Sequence, residues 1–200
     1  MSIINAFISP NLALVGADSD AVSQSGEHFE TSKLHVLTHL NAVVAFRGYV
    51  GSVMYSLPGL IGFSGSFDDL AEAMPLVLNT AQQTADLALE MSGNTTPSDF
   101  GDVQVVLVGY SPKHQRMVGH NYESRNGSWK FDAHSDVVNI VSPGLEVLPD
   151  IVADREGMMV LAKVQCEWIR KMHPGKSAGG RFFVATLQKG EMRVEETVSL

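Results

Sequence analysis

Three residues of this chain, Ser2, Asp18 and Lys33, have types and spacing that suit one reaction. A Ser at position two becomes an N-terminus when the initiator Met is removed. Its own α-amine, which titrates near about 8, then acts as the base. A nearby Lys lowers the pKa of amine and hydroxyl, an Asp holds that Lys, and a backbone N–H faces the developing oxyanion. Ser2 begins the first expected strand, Asp18 ends the second and Lys33 begins the third. The three then meet at one end of a sheet. Taken alone, the same residues are ordinary surface groups at strand ends.

Other motifs offer less. The sequence has no P-loop, no Rossmann glycine pattern and no Cys/His zinc spacing, so neither metal nor cofactor is expected. His35 and His39 are four apart, but on a strand and its turn they do not converge on a metal. Gly175-Lys176-Ser177-Ala178-Gly179 matches a nucleophile elbow in letters only. That motif needs a strand before it and a helix after it, and here the order is reversed. Ser177 reads as part of a Gly-rich connection. Cys166 lies in an apolar helical pattern and reads as a buried thiol.

The elements that must position these residues follow from periodicity. Residues 3–8 and 12–17 are apolar runs around the turn Ser9-Pro10-Asn11, a hairpin. Residues 34–37 and 42–46 form a second hairpin ending at Gly48. A short helix is expected over 49–57, stopping before Pro58. A long one follows the Ser66 cap, with Asp68 and Asp69 in its first turn, and runs to about Met91 across Pro75. Strands are expected at 103–110, 116–121, 128–132 and 136–141. A helix spans about 149–172, where Met158, Leu161, Ala162, Gln165, Trp168, Ile169 and Met172 recur as one stripe. Residues 181–187 and 191–198 close the chain as a hairpin. No βαβ rhythm, repeat or linker appears, so residues 1–200 are expected to form a single domain.

Composition sets bounds. With 44% hydrophobic and 18% charged residues, the chain is that of a globular protein with a real core. No segment has the apolar length that spans a membrane. Net charge is −8 with no basic stripe, which disfavours nucleic acid. A single Cys and no visible secretory signal fit a cytoplasmic protein.

In its order of segments the chain resembles the proteasome β-subunit family and its HslV relatives, N-terminal nucleophile hydrolases. Ser2 falls at the family's N-terminal nucleophile. "LALVGADSD" resembles the strand ending in the catalytic Asp, here Asp18. "TSKLHVL" resembles the segment with the catalytic Lys, here Lys33. "NAVVAFRGYVGS" resembles the strand leading to the oxyanion glycine, here Gly48. "VQVVLVGYSP" resembles the central strand and hairpin. "DVVNIVSPG" resembles the stretch whose Ser contacts the N-terminal amine, here Ser142. "SAGGRFFVATL" resembles the penultimate strand after a Gly-Gly pair. The resemblance implies an α+β fold, a four-layer αββα sandwich of two antiparallel sheets flanked by helices. It also implies a homo-oligomeric ring or double ring, with Phe46 and Val50 lining the substrate pocket. Two features depart from the family. Arg47 stands where the family has a small residue beside the oxyanion glycine. Gly175 and Ala178 occupy positions where it often has an Asp and a Ser.

The expected activity is therefore a self-compartmentalising, threonine-type peptidase with Ser2 as nucleophile after Met1 removal. The alternative is an inactive ring or scaffold subunit of the same fold. An amidase acting on small amides ranks third. No docking motif for an ATPase partner is visible.

Overall fold

Alternation of apolar residues builds the first hairpin. Strand β1 (Ile4–Ile8) pairs antiparallel with β2 (Ala13–Asp18), in register from Ile4↔Ala17 to Ile8↔Ala13. Ser9 N–H closes the turn on Leu12 O at 2.9 Å. Because successive side chains face opposite sides, Ile4 and Ala6 enter one buried cluster while Ile3 and Phe7 pack in another. The computed structural model describes residues 2–23, 26–48, 50–93, 102–124, 131–173 and 178–200.

Beyond the hairpin come β3 (Asp20–Val22), β4 (His28–Glu30), β5 (Leu34–Leu37) and β6 (Ala42–Arg47). Helices α1 (Val50–Ile61) and α2 (Phe67–Met91) follow, then β7 (Val103–Ser111), β8 (Arg116–Ser124), β9 (Asp132–Ser135) and β10 (Asn139–Ser142). Helix α3 (Arg155–Met172) and the hairpin β11 (Arg181–Gln188) to β12 (Glu191–Ser199) complete the order. One sheet runs β10-β1-β2-β11-β12, a second runs β5-β6-β7-β8-β9, and β3-β4 is a separate ladder.

The core has three parts. Val15, Ala45, Val106 and Ala185 belong to a cluster shared by the two large sheets. Leu70, Met74 and Leu78 of α2 pack with Val44, Val105 and Leu107. Met158, Ala162 and Ile169 of α3 pack with Phe182 and Val184.

The expected four-layer αββα sandwich is corrected here. Among the described residues twelve strands fall into three antiparallel sheets, not two, with three α-helices beside them, so the fold is β-rich. The third sheet escaped notice because its strands are three residues each and β4 is exposed throughout. Ala21 is the one buried residue of these strands, too little to impose an alternating pattern.

Smaller differences have local causes. Helix α1 continues through Pro58 to Ile61, and Leu60, beyond the Pro, is fully buried. Burial there outweighs the hydrogen bond that Pro cannot make. Helix α2 starts at the Ser66 cap, with a reciprocal box between Ser66 and Asp69. Helix α3 begins at Arg155 rather than about 149, because extended Asp154 caps it, accepting the Gly157 N–H at 2.8 Å. The strand expected at 136–141 is broken at Asp136, which sits at φ 58. Of the strand expected at 128–132, residues 128–130 lie outside the described residues, as do Met1 and Gly175 to Ser177.

Candidate active site around Asp18 and Lys33

Asp18 ends β2 as the last residue before the chain turns off the sheet, and it is buried. A carboxylate there needs donors, and three reach it. Ile3 N–H donates to Oδ1 at 2.9 Å, Lys33 Nζ donates to Oδ1 at 2.8 Å, and Gly179 N–H donates to Oδ2 at 3.2 Å. Lys33, 7% exposed, precedes β5 and is held there as its carbonyl accepts from Phe46 N–H at 2.8 Å. Its ammonium also donates to Asp20 O. The third ammonium proton has no acceptor among the described residues.

Burial is the largest influence on both ions. It pushes the Lys33 ammonium down and the Asp18 carboxyl up, and the attraction between the two opposes both shifts. Arg47 adds to the lowering of Lys33 by like-charge repulsion. A Lys in that state accepts and returns protons more readily than an exposed one.

Ser2 lies directly before Ile3, so the ladder that holds Asp18 also fixes the residue after the expected nucleophile. The structure thus brings Asp18 and Lys33 into contact and seats Ser2 next to Ile3, whose N–H donates to the same Asp18 oxygen as Lys33. Gly48 follows β6 at φ +108, a region favouring glycine. A Cβ there would collide with Asp102 O and stand 3.0 Å from Val103 Cα. Ser142 ends β10 opposite Ile4, and its Oγ accepts from Arg47 Nη1 at 2.8 Å. Phe46 is 1% exposed within the cluster under α1 and α2, and so placed it offers no surface to a ligand. Val50 is the first residue of α1, and its side chain lies outside the described residues.

Sequence reasoning missed several supports. Gly179 holds Asp18, and neighbouring Gly180 at φ +71 leaves room for Ser19, since a Cβ would stand 2.6 Å from Ser19 Oγ. Ser19 Oγ in turn accepts from Arg181 N–H at 2.9 Å. The Gly-Gly pair was visible as a sequence signal, but its partner was not. Asn5 and Gln165 form a second support. Asn5 Nδ2 donates to Gln165 Oε1 at 2.7 Å, and Gln165 Nε2 donates to Pro143 O at 2.8 Å. Gln165 broke an apolar stripe in α3, and that break was the available signal. Among the described residues no group of three or more His, Cys, Asp or Glu is arranged to hold a metal ion. No described helix is long and apolar enough to cross a membrane.

Comparison with known proteins gives a likeness of fold. The chain is similar to Anbu, an ancestral β-subunit, from Yersinia bercovieri. The TM-score is 0.63 at 11% identity, covering 98% of this chain and 86% of that one. A Gly-1 mutant of Anbu from Hyphomicrobium sp. strain MC1 gives a TM-score of 0.62 at 10% identity, covering 98% of this chain and 88% of that one. No protein-family model matches the sequence, and no curated protein matches it. The resemblance to the proteasome β-subunit and HslV family is thereby corrected. What is shown is the fold of Anbu, at an identity that carries the fold alone. The physical reason lies in the segments themselves. "LALVGA" and "VQVVLVGY" are the small and β-branched runs that any buried strand uses.

Proposed function

We propose that this chain is a peptidase acting from Ser2 once Met1 is removed, as a subunit of a proteasome-like, self-compartmentalising ring. The observation that carries this reading is the buried Lys33–Asp18 pair at 2.8 Å, tied to Ile3, the residue after the nucleophile. A buried ion pair is costly in stability compared with apolar packing. A tunable Lys beside a chain terminus gives it a purpose. The fold shared with an ancestral β-subunit supports the assembly, and peptides are the substrates the ring would enclose.

The reaction follows from the groups present. Ser2 Oγ attacks the scissile carbonyl carbon while its hydroxyl proton passes to the free α-amine. Lys33 favours that transfer by its field, and Asp18 keeps Lys33 in place. The tetrahedral oxyanion faces the Gly48 N–H, where a glycine is needed by conformation. The C–N bond breaks, and the α-ammonium protonates the leaving amine. Water then attacks the Ser2 ester and gives its proton to the α-amine, and Ser2 Oγ leaves and is reprotonated. In this reading Ser142 contacts the α-amine.

Intact mass and covalent labelling test this. The expected result is loss of Met1 and a single adduct on Ser2 with an inhibitor of N-terminal nucleophiles. Met1 retained in full, with no adduct after enforced removal, would leave the chain a non-catalytic ring subunit.

A further inference from the structure

Arg47 is the residue at the site that the reaction above does not use. It closes β6 directly before Gly48. Val43 and Ala45 of that strand point into the cluster shared by the two large sheets, and alternation places Arg47 on the same side. From the opposite sheet, Ile4 and Ile140 point into the same cluster. Ser142, in register with Ile4 and two residues beyond Ile140, shares their face. Ser2, two residues before Ile4, continues it. Arg47, Ser142 and Ser2 therefore converge on the open end of one space from two sheets.

The hydrogen bond between the first two has a fixed direction. A guanidinium only donates, so Ser142 Oγ accepts from Arg47 Nη1. The hydroxyl proton of Ser142 must then point elsewhere. Ser142 is 6% exposed, and no acceptor for that proton exists among the described residues. A buried hydroxyl proton without an acceptor carries a desolvation penalty. A free α-amine on Ser2, just before the strand that pairs with β10, would supply a lone pair.

We propose that Arg47 is a positioning residue. By filling Ser142 Oγ from one side, it turns the Ser142 hydroxyl toward Ser2, where the proton is donated to the α-amine lone pair and aims that amine as base. This rests on the Ser2 reading above. The charged groups around Arg47 are Asp18, Lys33, Asp102 and Glu123, all present in every variant below.

The test uses protein whose intact mass shows Ser2 as its first residue. The α-amine pKa is read from the pH dependence of its acetylation by trace acetic anhydride, a measurement that needs no peptidase activity. Ser142→Ala is expected to raise that pKa by roughly 0.5–1 unit, the equivalent of one hydrogen bond lost from the neutral amine. Arg47→Met is expected to raise it similarly, and the double variant no further, because Arg47 acts through Ser142. Arg47→Lys, which keeps a donor and a charge, should recover much of the shift. Should Arg47→Met fail to fold by thermal melting, Arg47→Gln takes its place in the cycle. Additive shifts, or an Arg47 effect undiminished in the Ser142→Ala background, overturn the proposal. Coupled shifts without any Ser2 adduct support it and sink the peptidase reading alone.

Discussion

The Ile3 amide and the Lys33 ammonium donate to one and the same oxygen, Asp18 Oδ1, at 2.9 and 2.8 Å. One atom therefore sets the position of the strand that follows Ser2 and of the Lys33 cation. Displacing either donor moves the other's anchor.

Lys33→Ala should abolish Ser2 labelling and also cost about 3–5 kcal/mol of stability, since Asp18 is left buried and unpaired. Urea denaturation and adduct mass read the two effects separately. The double variant Lys33→Met with Asp18→Asn should recover most of the lost stability and none of the labelling. Recovery of both would show that the pair is structural.

Gly48→Ala should lower stability by about 1–3 kcal/mol, because the residue is held at φ +108 against the Asp102 carbonyl. Labelling should fall further than the loss of folded protein explains. A variant as active and stable as the parent would remove Gly48 from the site.

Gln165→Leu keeps the volume and removes two hydrogen bonds, leaving Asn5 Nδ2 and Pro143 O unpartnered. A loss of about 1–3 kcal/mol is expected in denaturant. An unchanged midpoint would mean that the Asn5–Gln165 contact contributes nothing.

Acid should weaken the fold through two histidines. Burial pushes His35 and His120 below the ordinary value of 6.5. The unfolded chain therefore binds protons in a range where the folded chain does not. This contribution is fully present above about 6.5 and is lost as pH falls through the folded values. Asp18, pushed up by burial, has the opposite dependence. Comparing the parent with His35→Gln/His120→Gln cancels it, and the double variant should lose less stability between pH 7 and pH 5. Parallel curves would contradict the prediction.

Much of this was readable in the residues, and the rest had identifiable reasons to be hidden. The β1–β2 hairpin followed from two apolar runs about a Pro turn, and Ser66 caps α2 as its letters indicated. Asp18 and Lys33 drew attention as residues at strand ends, and they lie 2.8 Å apart as an ion pair. The β3–β4 ladder was invisible because three-residue strands with a single buried residue, Ala21, carry no period. The Gly179 contact was invisible because it spans 161 residues of sequence, and only closure of β11 against β2 creates it. Arg47 was noted as an oddity, but its partner Ser142 lies 95 residues away on another sheet.

The Gly179–Asp18 hydrogen bond also has a bearing on protein synthesis. Strand β2 leaves the ribosome well before β11, so the Asp18 carboxylate waits for a donor made 161 residues later. Domains are synthesised at about 5–20 residues per second, so that interval lasts on the order of ten seconds or more. Through that interval the nascent chain holds the Asp18 carboxylate one donor short, and its surroundings are completed only when β11 closes against β2.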